Sequence, residues 1–193
     1  MPHFDHFDFA ASFYERTPPA PLSAALTELL DVFPGARILD AGGGTGRLAQ
    51  VLAQTGARLT VADFSHGMLR VAARKGGLAP TRAAVERLPF PDSHFDRVLM
   101  VDALHHVYDQ GQSAHEMFRV LRPGGRLVIE EPDIETFTVK LLALAEKLLL
   151  MRSHILNSKR MAALFDGLPA NISLRREDHT VWLLVEKNKI LMN

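Results

Sequence analysis

Three glycines alternate with other residues in one short stretch, and an acid precedes the first of them. The positions are Asp40, Gly42, Gly44 and Gly46. Glycine takes positive φ without steric cost, and its missing Cβ lets a ligand lie against the backbone. An apolar segment precedes the stretch and a helical pattern follows it, so that N–H groups at the helix start point at whatever fills the loop. Arg47 stands where the third glycine of the dinucleotide fingerprint G-x-G-x-x-G would fall. The spacing therefore favours a nucleotide-like ligand over a dinucleotide.

Two acids indicate what kind of ligand the glycine loop would bind. Asp40 beside the loop would repel a diphosphate, whereas it would attract an ammonium or sulfonium group. Asp63 ends the second predicted strand, where a carboxylate can accept hydrogen bonds from both hydroxyls of a ribose. The alternative for Asp63 is an acid that the dipole of the following helix favours. Together the two acids predict a cationic ligand that carries a ribose.

His105 and His106 follow the fourth predicted strand, and ligands of open α/β sheets lie beyond such strand ends. A histidine there could act as a general base near neutral pH. The alternative is a pair of helix-start histidines, one buried and one solvated. Glu86 follows the third predicted strand and could reach an adenine or ribose edge, or it could simply be solvated.

Composition limits the possible classes of protein. The chain has 193 residues, with 22 basic and 22 acidic residues and no cysteine. A balanced charge argues against a nucleic-acid partner, and the lack of cysteine excludes disulfides and thiolate metal sites. The nine histidines show no zincin spacing, so we expect no metal. The first residues do not resemble a signal peptide, and the apolar run 141–151 is too short to span a bilayer. We therefore expect a cytoplasmic protein that is not inserted in a membrane.

Strand patterns alternate with helix patterns along most of the chain. This order is typical of right-handed βαβ units and a doubly wound, mostly parallel α/β sheet. The last two predicted strands lie close together and are expected to form an antiparallel pair at the sheet edge. The predicted strands are residues 37–41, 59–62, 81–85, 95–101, 126–130, 172–176 and 180–186.

Five segments in chain order resemble the class I S-adenosylmethionine-dependent methyltransferases, particularly the group that contains the ubiquinone/menaquinone-biosynthesis C-methyltransferases. The glycine stretch looks like that family's first motif, and residues 63–69 are similar to its D-x-S-x-x-M-L segment. The middle segment of the family resembles residues 88–92 with Phe95-Asp96 and then Leu104-His105-His106. The other two similarities are the late segment Leu121-Arg122-Pro123-Gly124-Gly125 and an N-terminal F-D-x-x-A-x-x-Y segment that ends at Tyr14.

This resemblance implies S-adenosyl-L-methionine as the cofactor and a Rossmann-like sheet of seven strands. It also implies that Asp40 and the loop backbone hold the methionine end, that Asp63 binds the ribose, and that Phe64 and Met68 lie against the adenine. Ala84 stands where the family usually has an acid, which leaves the adenine amino group to the backbone around Val85. The predicted cofactor-binding residues are Tyr14, Asp40, Gly42, Gly43, Gly44, Gly46, Asp63, Phe64, Met68, Val85, Glu86 and Val101, and the predicted catalytic residues are His105 and His106.

We therefore predict a single domain over residues 1–193 that methylates a small, hydrophobic acceptor at carbon or oxygen. Residues 134–169 would cover the acceptor, with the segment 141–151 as a roof over the methyl group or as the face of a possible homodimer. Two alternatives remain. One is a non-catalytic S-adenosylmethionine-binding scaffold or sensor, which the Ala84 departure favours. The other is a nicotinamide-dependent oxidoreductase, which the glycine spacing disfavours.

Overall fold

A computed structural model describes residues 22–136, Val139 and residues 154–189. Tyr14, the N-terminal motif that it ends, and the segment 141–151 lie outside the described residues, as does part of the predicted acceptor cover over residues 134–169. The predictions made for these parts of the chain therefore stay predictions.

The described residues form one mixed sheet of seven strands. The strand order is β3-β2-β1-β4-β5-β7-β6, and β7 runs antiparallel to both of its neighbours while the other pairings are parallel. This confirms the predicted doubly wound sheet with an antiparallel pair at one edge. The strands are β1 Arg37–Ala41, β2 Arg58–Asp63, β3 Leu78–Arg82, β4 Phe95–Val101, β5 Leu121–Pro132, β6 Ala170–Glu177 and β7 Thr180–Lys187.

Short helices cover both faces of the sheet, and polar side chains begin most of them. Ser23, Ser65, Asp109 and Asn157 each accept a hydrogen bond from a backbone N–H in the first helical turn, which satisfies one of the unpaired donors there. No helix within the described ranges is long and apolar enough to cross a membrane. The helices are α1 Ala24–Leu30, α2 Arg47–Ala53, α3 His66–Ala72, α4 Gln110–Val120 and α5 Ser158–Ala163, and two 3₁₀ turns cover Val85–Arg87 and Leu104–His106.

The central strand β4 is buried on both faces, as its unbroken apolar run predicts. Val98 and Met100 belong to one core, which α4 and α5 cover, and Leu99 belongs to the other, which α1 and α2 cover. Asp40 pairs with Leu99 in the ladder between β1 and β4. The carboxylate of Asp40 is therefore held at the strand end on the α1 and α2 side of the sheet.

Two strand positions differ from the prediction. β3 lies at Leu78–Arg82, where it pairs with β2, and Val85 belongs to a 3₁₀ turn instead. This edge strand is partly exposed and contains Pro80, so it lacks the apolar alternation that marks a strand. β5 begins at Leu121, because the chain pairs there with Phe95, bulges through the segment 122–125 and pairs again from Arg126.

Candidate active site

The glycine loop joins β1 to α2, and its close contacts leave no room for a side chain at Gly42, Gly43 or Gly46. Gly42 has a φ of 72°, and a Cβ at this position would lie 2.8 Å from the Cβ of Ala103. At Gly43 a Cβ would lie 2.5 Å from the Cγ of Asp40, so this glycine is required by space. The loop closes on itself through a 2.9 Å hydrogen bond from the Gly46 N–H to the Gly43 carbonyl. The result is a loop in which residues 42–44 stay half-buried, so that a ligand can still reach their backbone.

Asp63 ties the glycine loop to the turn after β2. Its Oδ2 accepts a hydrogen bond from the Gly44 N–H at 2.9 Å, and its Oδ1 accepts one from the Ser65 N–H at 2.8 Å. Asp63, the residue predicted to bind the ribose, thus lies at the junction of the loop with α3, where Ser65 also caps the helix. The geometry gives Asp63 a structural role that is compatible with binding a ribose, because a carboxylate oxygen can accept more than one hydrogen bond.

Asp40 is the most unusual charged group of the site. It is 2 % exposed, and its Oδ2 has no hydrogen-bond partner among the described residues. Burial and, to a smaller extent, the negative charge of Asp63 raise the pKa of Asp40 to about 7, although a hydrogen bond from the Ala49 backbone lowers it. A buried carboxylate without a partner is costly, and a cationic ligand would relieve that cost.

The predicted adenine side lies at the ends of β2 and β3. Phe64 is 58 % exposed, and the guanidinium of Arg82 lies 5.6 Å above its ring centre. Met68 is buried, and its Sδ lies 3.8 Å from where a Gly44 Cβ would be. An exposed aromatic ring is a flat apolar surface of the kind on which an adenine stacks, and the contact of Phe64 and Met68 with an adenine stays a prediction.

Three further residues predicted to bind the cofactor lie near the ends of β3 and β4, and one of them has hydrogen bonds that the sequence did not indicate. Val85 is buried in the 3₁₀ turn. The Oε1 of Glu86 accepts hydrogen bonds from the N–H groups of Tyr108 and Asp109, at 2.8 and 3.2 Å. Glu86 therefore supports the start of α4, and a contact with the adenine stays a prediction. Val101 is half-buried at the end of β4.

His105 is buried and paired with an acid that sequence reasoning missed. Its Nδ1 lies 2.5 Å from the Oε2 of Glu131, and the two side chains are 5 % and 3 % exposed. The Oε1 of Glu131 accepts hydrogen bonds from the N–H groups of Ala103 and Leu104, at 3.0 and 2.8 Å. Glu131 thus holds the whole turn after β4. Its position at the carboxyl end of the fifth predicted strand, next to that of the histidines, was the available signal.

His106 differs from His105 because it lines a cavity. Its ring centre lies 4.0 Å from that of His105, and the residue is half-buried. A cavity of about 300 Å³ is lined by His106, Val107, Tyr108 and His154. A larger cavity of about 420 Å³ shares the last three of these residues and extends towards α5. Of the two histidines, His106 is therefore the one placed to meet a small molecule, whereas His105 positions the turn.

Residues 39–129 match a family model described as a methyltransferase domain. The ubiquinone/menaquinone biosynthesis C-methyltransferase UbiE of Psychromonas ingrahamii is 39% identical over 108 residues, which is 50% of this chain and 43% of that protein. UbiE of Vibrio cholerae is 39% identical over 109 residues, 51% of this chain and 42% of that protein. The matched stretch thus spans less than half the length of these relatives. Residues 39–129 thus match the methyltransferase domain that the motifs predict.

Solved structures share the whole fold at low identity. A Thermotoga maritima S-adenosylmethionine-dependent methyltransferase, described as a possible histamine N-methyltransferase, has a TM-score of 0.76 and 22% identity, over 94% of this chain and 98% of that chain. The [4+2]-cyclase SpnF has a TM-score of 0.80 and 15% identity, over 95% of this chain and 94% of that chain. Their names describe different reactions, so the shared fold does not by itself define the chemistry.

Proposed function

We propose that this protein is an S-adenosylmethionine-dependent methyltransferase that acts on a small acceptor. The observation that carries this proposal is the buried carboxylate of Asp40 against the glycine loop, one oxygen of which has no hydrogen-bond partner among the described residues, within a stretch that matches a methyltransferase domain. The negative charge of Asp40 favours a cationic ligand, and the half-buried backbone of residues 42–44 favours one that lies against it. The residues present therefore fit this cofactor.

Residues of the loop and of β2 would hold the cofactor. Asp40 and the backbone of residues 42–46 would face its methionine end, Asp63 its ribose, and Phe64 with Met68 its adenine. When bound, the cofactor supplies a methyl group that is activated by a positively charged sulfur. The protein's contribution is to align the acceptor with that methyl group and to exclude water.

His106 would accept the proton that a hydroxyl or carbon acceptor loses as the methyl group arrives. It lines a cavity at the carboxyl end of β4, and a neutral imidazole is a suitable base near pH 7. His105 would act on the acceptor only through His106, because its buried ring is paired with Glu131 and its centre lies 4.0 Å from that of the His106 ring. We therefore assign His106 as the candidate catalytic residue and His105 as a positioning residue.

The two adjoining cavities, about 300 and 420 Å³, have the size of sites for small ligands and have aromatic and apolar residues in their lining. The name of the UbiE relatives favours an aromatic, quinone-type acceptor and methylation at carbon. We further propose that the whole chain works as one domain, with residues 134–169 on the acceptor side, and that its zero net charge favours a small molecule over nucleic acid. A homodimer is compatible with this proposal.

Ligand identity is tested by thermal unfolding with S-adenosylmethionine, S-adenosylhomocysteine and NAD. We expect the first two to raise the unfolding temperature and NAD to leave it unchanged. A ligand at about 100 times its Kd stabilises the folded state by about 2.7 kcal/mol. Stabilisation by NAD alone would contradict the proposal.

The role of His106 is tested by turnover with quinol-type acceptors. His106→Ala should lower kcat by roughly 10²–10⁴ while the Kd for S-adenosylhomocysteine stays unchanged, because the base acts on the acceptor. The control is His115→Ala, an exposed position on α4 that should leave turnover unchanged. Equal losses of turnover and cofactor affinity in His106→Ala would assign this residue a purely structural role.

A further inference from the structure

Within the described ranges, Asp40 is enclosed by elements that bring it almost no compensation for a negative charge. Its ladder neighbours are Val61 on β2 and Leu99 on β4, both apolar and fully buried. From the loop, Gly43 packs directly against its carboxyl group. From α2, the Ala49 backbone provides one hydrogen bond. None of these four neighbours carries a charge that could balance a carboxylate.

The charged group that acts on Asp40 has the same sign. Asp63 ends the neighbouring strand β2, and its two carboxylate oxygens already accept hydrogen bonds from the loop and from the turn that follows. One Asp40 oxygen has no hydrogen-bond partner among the described residues. Burial and like charge both favour the protonated form of a carboxyl group, so Asp40 has a pKa of about 7.

We propose that Asp40 holds a proton in the ligand-free enzyme and loses it when the cationic end of the cofactor binds, so that cofactor binding is coupled to proton release. This inference rests on the proposed function, because it takes S-adenosylmethionine as the ligand. A positive charge placed at the loop favours the carboxylate, since opposite charges within a few ångströms lower the pKa of an acid. The proton passes to the buffer, and no bond within the cofactor changes.

The coupling has a defined pH profile. With a pKa of about 7 for Asp40, roughly nine tenths of the ligand-free molecules carry the proton at pH 6, about half at pH 7 and about a tenth at pH 8. Binding at pH 6 should therefore release close to one proton, and this release should decline as the pH rises. Because only the ionised fraction binds fully, the apparent Kd should be about tenfold larger at pH 6 than at pH 8.

Calorimetric titration at pH 6 in two buffers of different ionisation enthalpy measures the released proton directly. S-adenosylmethionine carries a sulfonium and an ammonium group, S-adenosylhomocysteine keeps the ammonium alone, and 5′-methylthioadenosine has neither. We expect release of about 0.9 proton with S-adenosylmethionine and none with 5′-methylthioadenosine. Release with S-adenosylhomocysteine as well would identify the ammonium as the group facing Asp40, and release with S-adenosylmethionine alone would identify the sulfonium.

Asp40→Asn should bind S-adenosylmethionine with an observed enthalpy that does not depend on the buffer. The matched control is Asp166→Asn, a change at an exposed position that should behave as the wild type does. If Asp40→Asn does not fold, the pH profile of the wild type still decides. Binding of S-adenosylmethionine without proton release between pH 6 and pH 8 would overturn this inference and leave the proposed function standing. An absence of binding would overturn both.

Discussion

The two sides of the site are built in different ways. The loop side consists of Asp40, residues 42–46 and Asp63. Its hydrogen bonds run from backbone N–H groups to the carboxylate of Asp63, over at most 19 residues of sequence. On the histidine side, Glu131 reaches His105 across 26 residues of sequence, and the N–H of His154 donates to the His105 carbonyl at 2.9 Å. Both Glu131 and His154 lie beyond the stretch that matches the methyltransferase domain.

This difference indicates which side of the site is expected to be shared with related proteins and which side is particular to this chain. The loop side depends on backbone geometry, which suits a ligand that many related proteins have in common. The histidine side depends on side chains from distant segments, and these can change without disturbing the loop. Acceptor specificity is therefore expected to depend on the histidine side, because functional differences between proteins of one fold reside in their sites.

The largest expected effect comes from Glu131→Ala. This change leaves two backbone N–H groups and the His105 ring without their buried acceptor. We expect the free energy of unfolding to fall by about 3–5 kcal/mol, measured by urea denaturation without cofactor. The control is Glu177→Ala, which removes an exposed partner of Arg175 and should leave the unfolding midpoint unchanged. Equal effects of the two changes would show that the histidine side has no special dependence on its buried pair.

Asp40→Asn should stabilise the ligand-free protein at pH 8. The folded-state pKa of about 7 lies above the ordinary value of 3.8, so the contribution of Asp40 to stability is complete below pH 4 and is lost as the pH rises through 7. The amide avoids this loss, so we expect a gain on the order of 2–4 kcal/mol at pH 8 that shrinks towards pH 4. Urea denaturation at both pH values measures the gain. A gain of equal size at both would exclude ionisation of Asp40 as its cause.

Asp63→Ala should have the smallest effect on stability and a clear effect on binding. Two backbone N–H groups lose their acceptor, but the residue is only half-buried, so water can replace part of the interaction. We expect the Kd for S-adenosylhomocysteine to rise at least tenfold, about 1.4 kcal/mol, in calorimetry at pH 8. An unchanged Kd would mean that Asp63 serves the turn alone and that the ribose is bound elsewhere.

The same contrast explains what the sequence could predict. Asp40, the glycines and Asp63 are recognisable because a strand, a tight turn and a helix start follow each other directly, so the constraint is local. The strand β4 was predicted with its observed bounds because burial on both faces requires an unbroken apolar run. The burial of Asp40 depends on packing against Gly43, and its raised pKa depends on this burial and on the charge of Asp63. Neither can be read from the spacing of residues in the sequence.

Other features depend on contacts between distant segments. Glu86 binds the N–H groups of Tyr108 and Asp109, a role that a loop glutamate does not reveal in sequence. The edge strand β3 is stabilised by pairing with β2, and Pro80 conceals it from a pattern search. The different roles of His105 and His106 follow from Glu131, which selects one of two adjacent and identical side chains.

The place of β7 in the sheet has a consequence for synthesis on the ribosome. Among the described strands, β6 pairs with β7 alone, and β7 also completes the pairing of β5. Since β6 precedes β7 in the chain, it leaves the ribosome first and has to wait for its partner. A chain shortened to residue 178 would present open strand edges on β5 and β6, and such edges favour aggregation and chaperone capture. We expect the native sheet to close only after translation has passed the last strand.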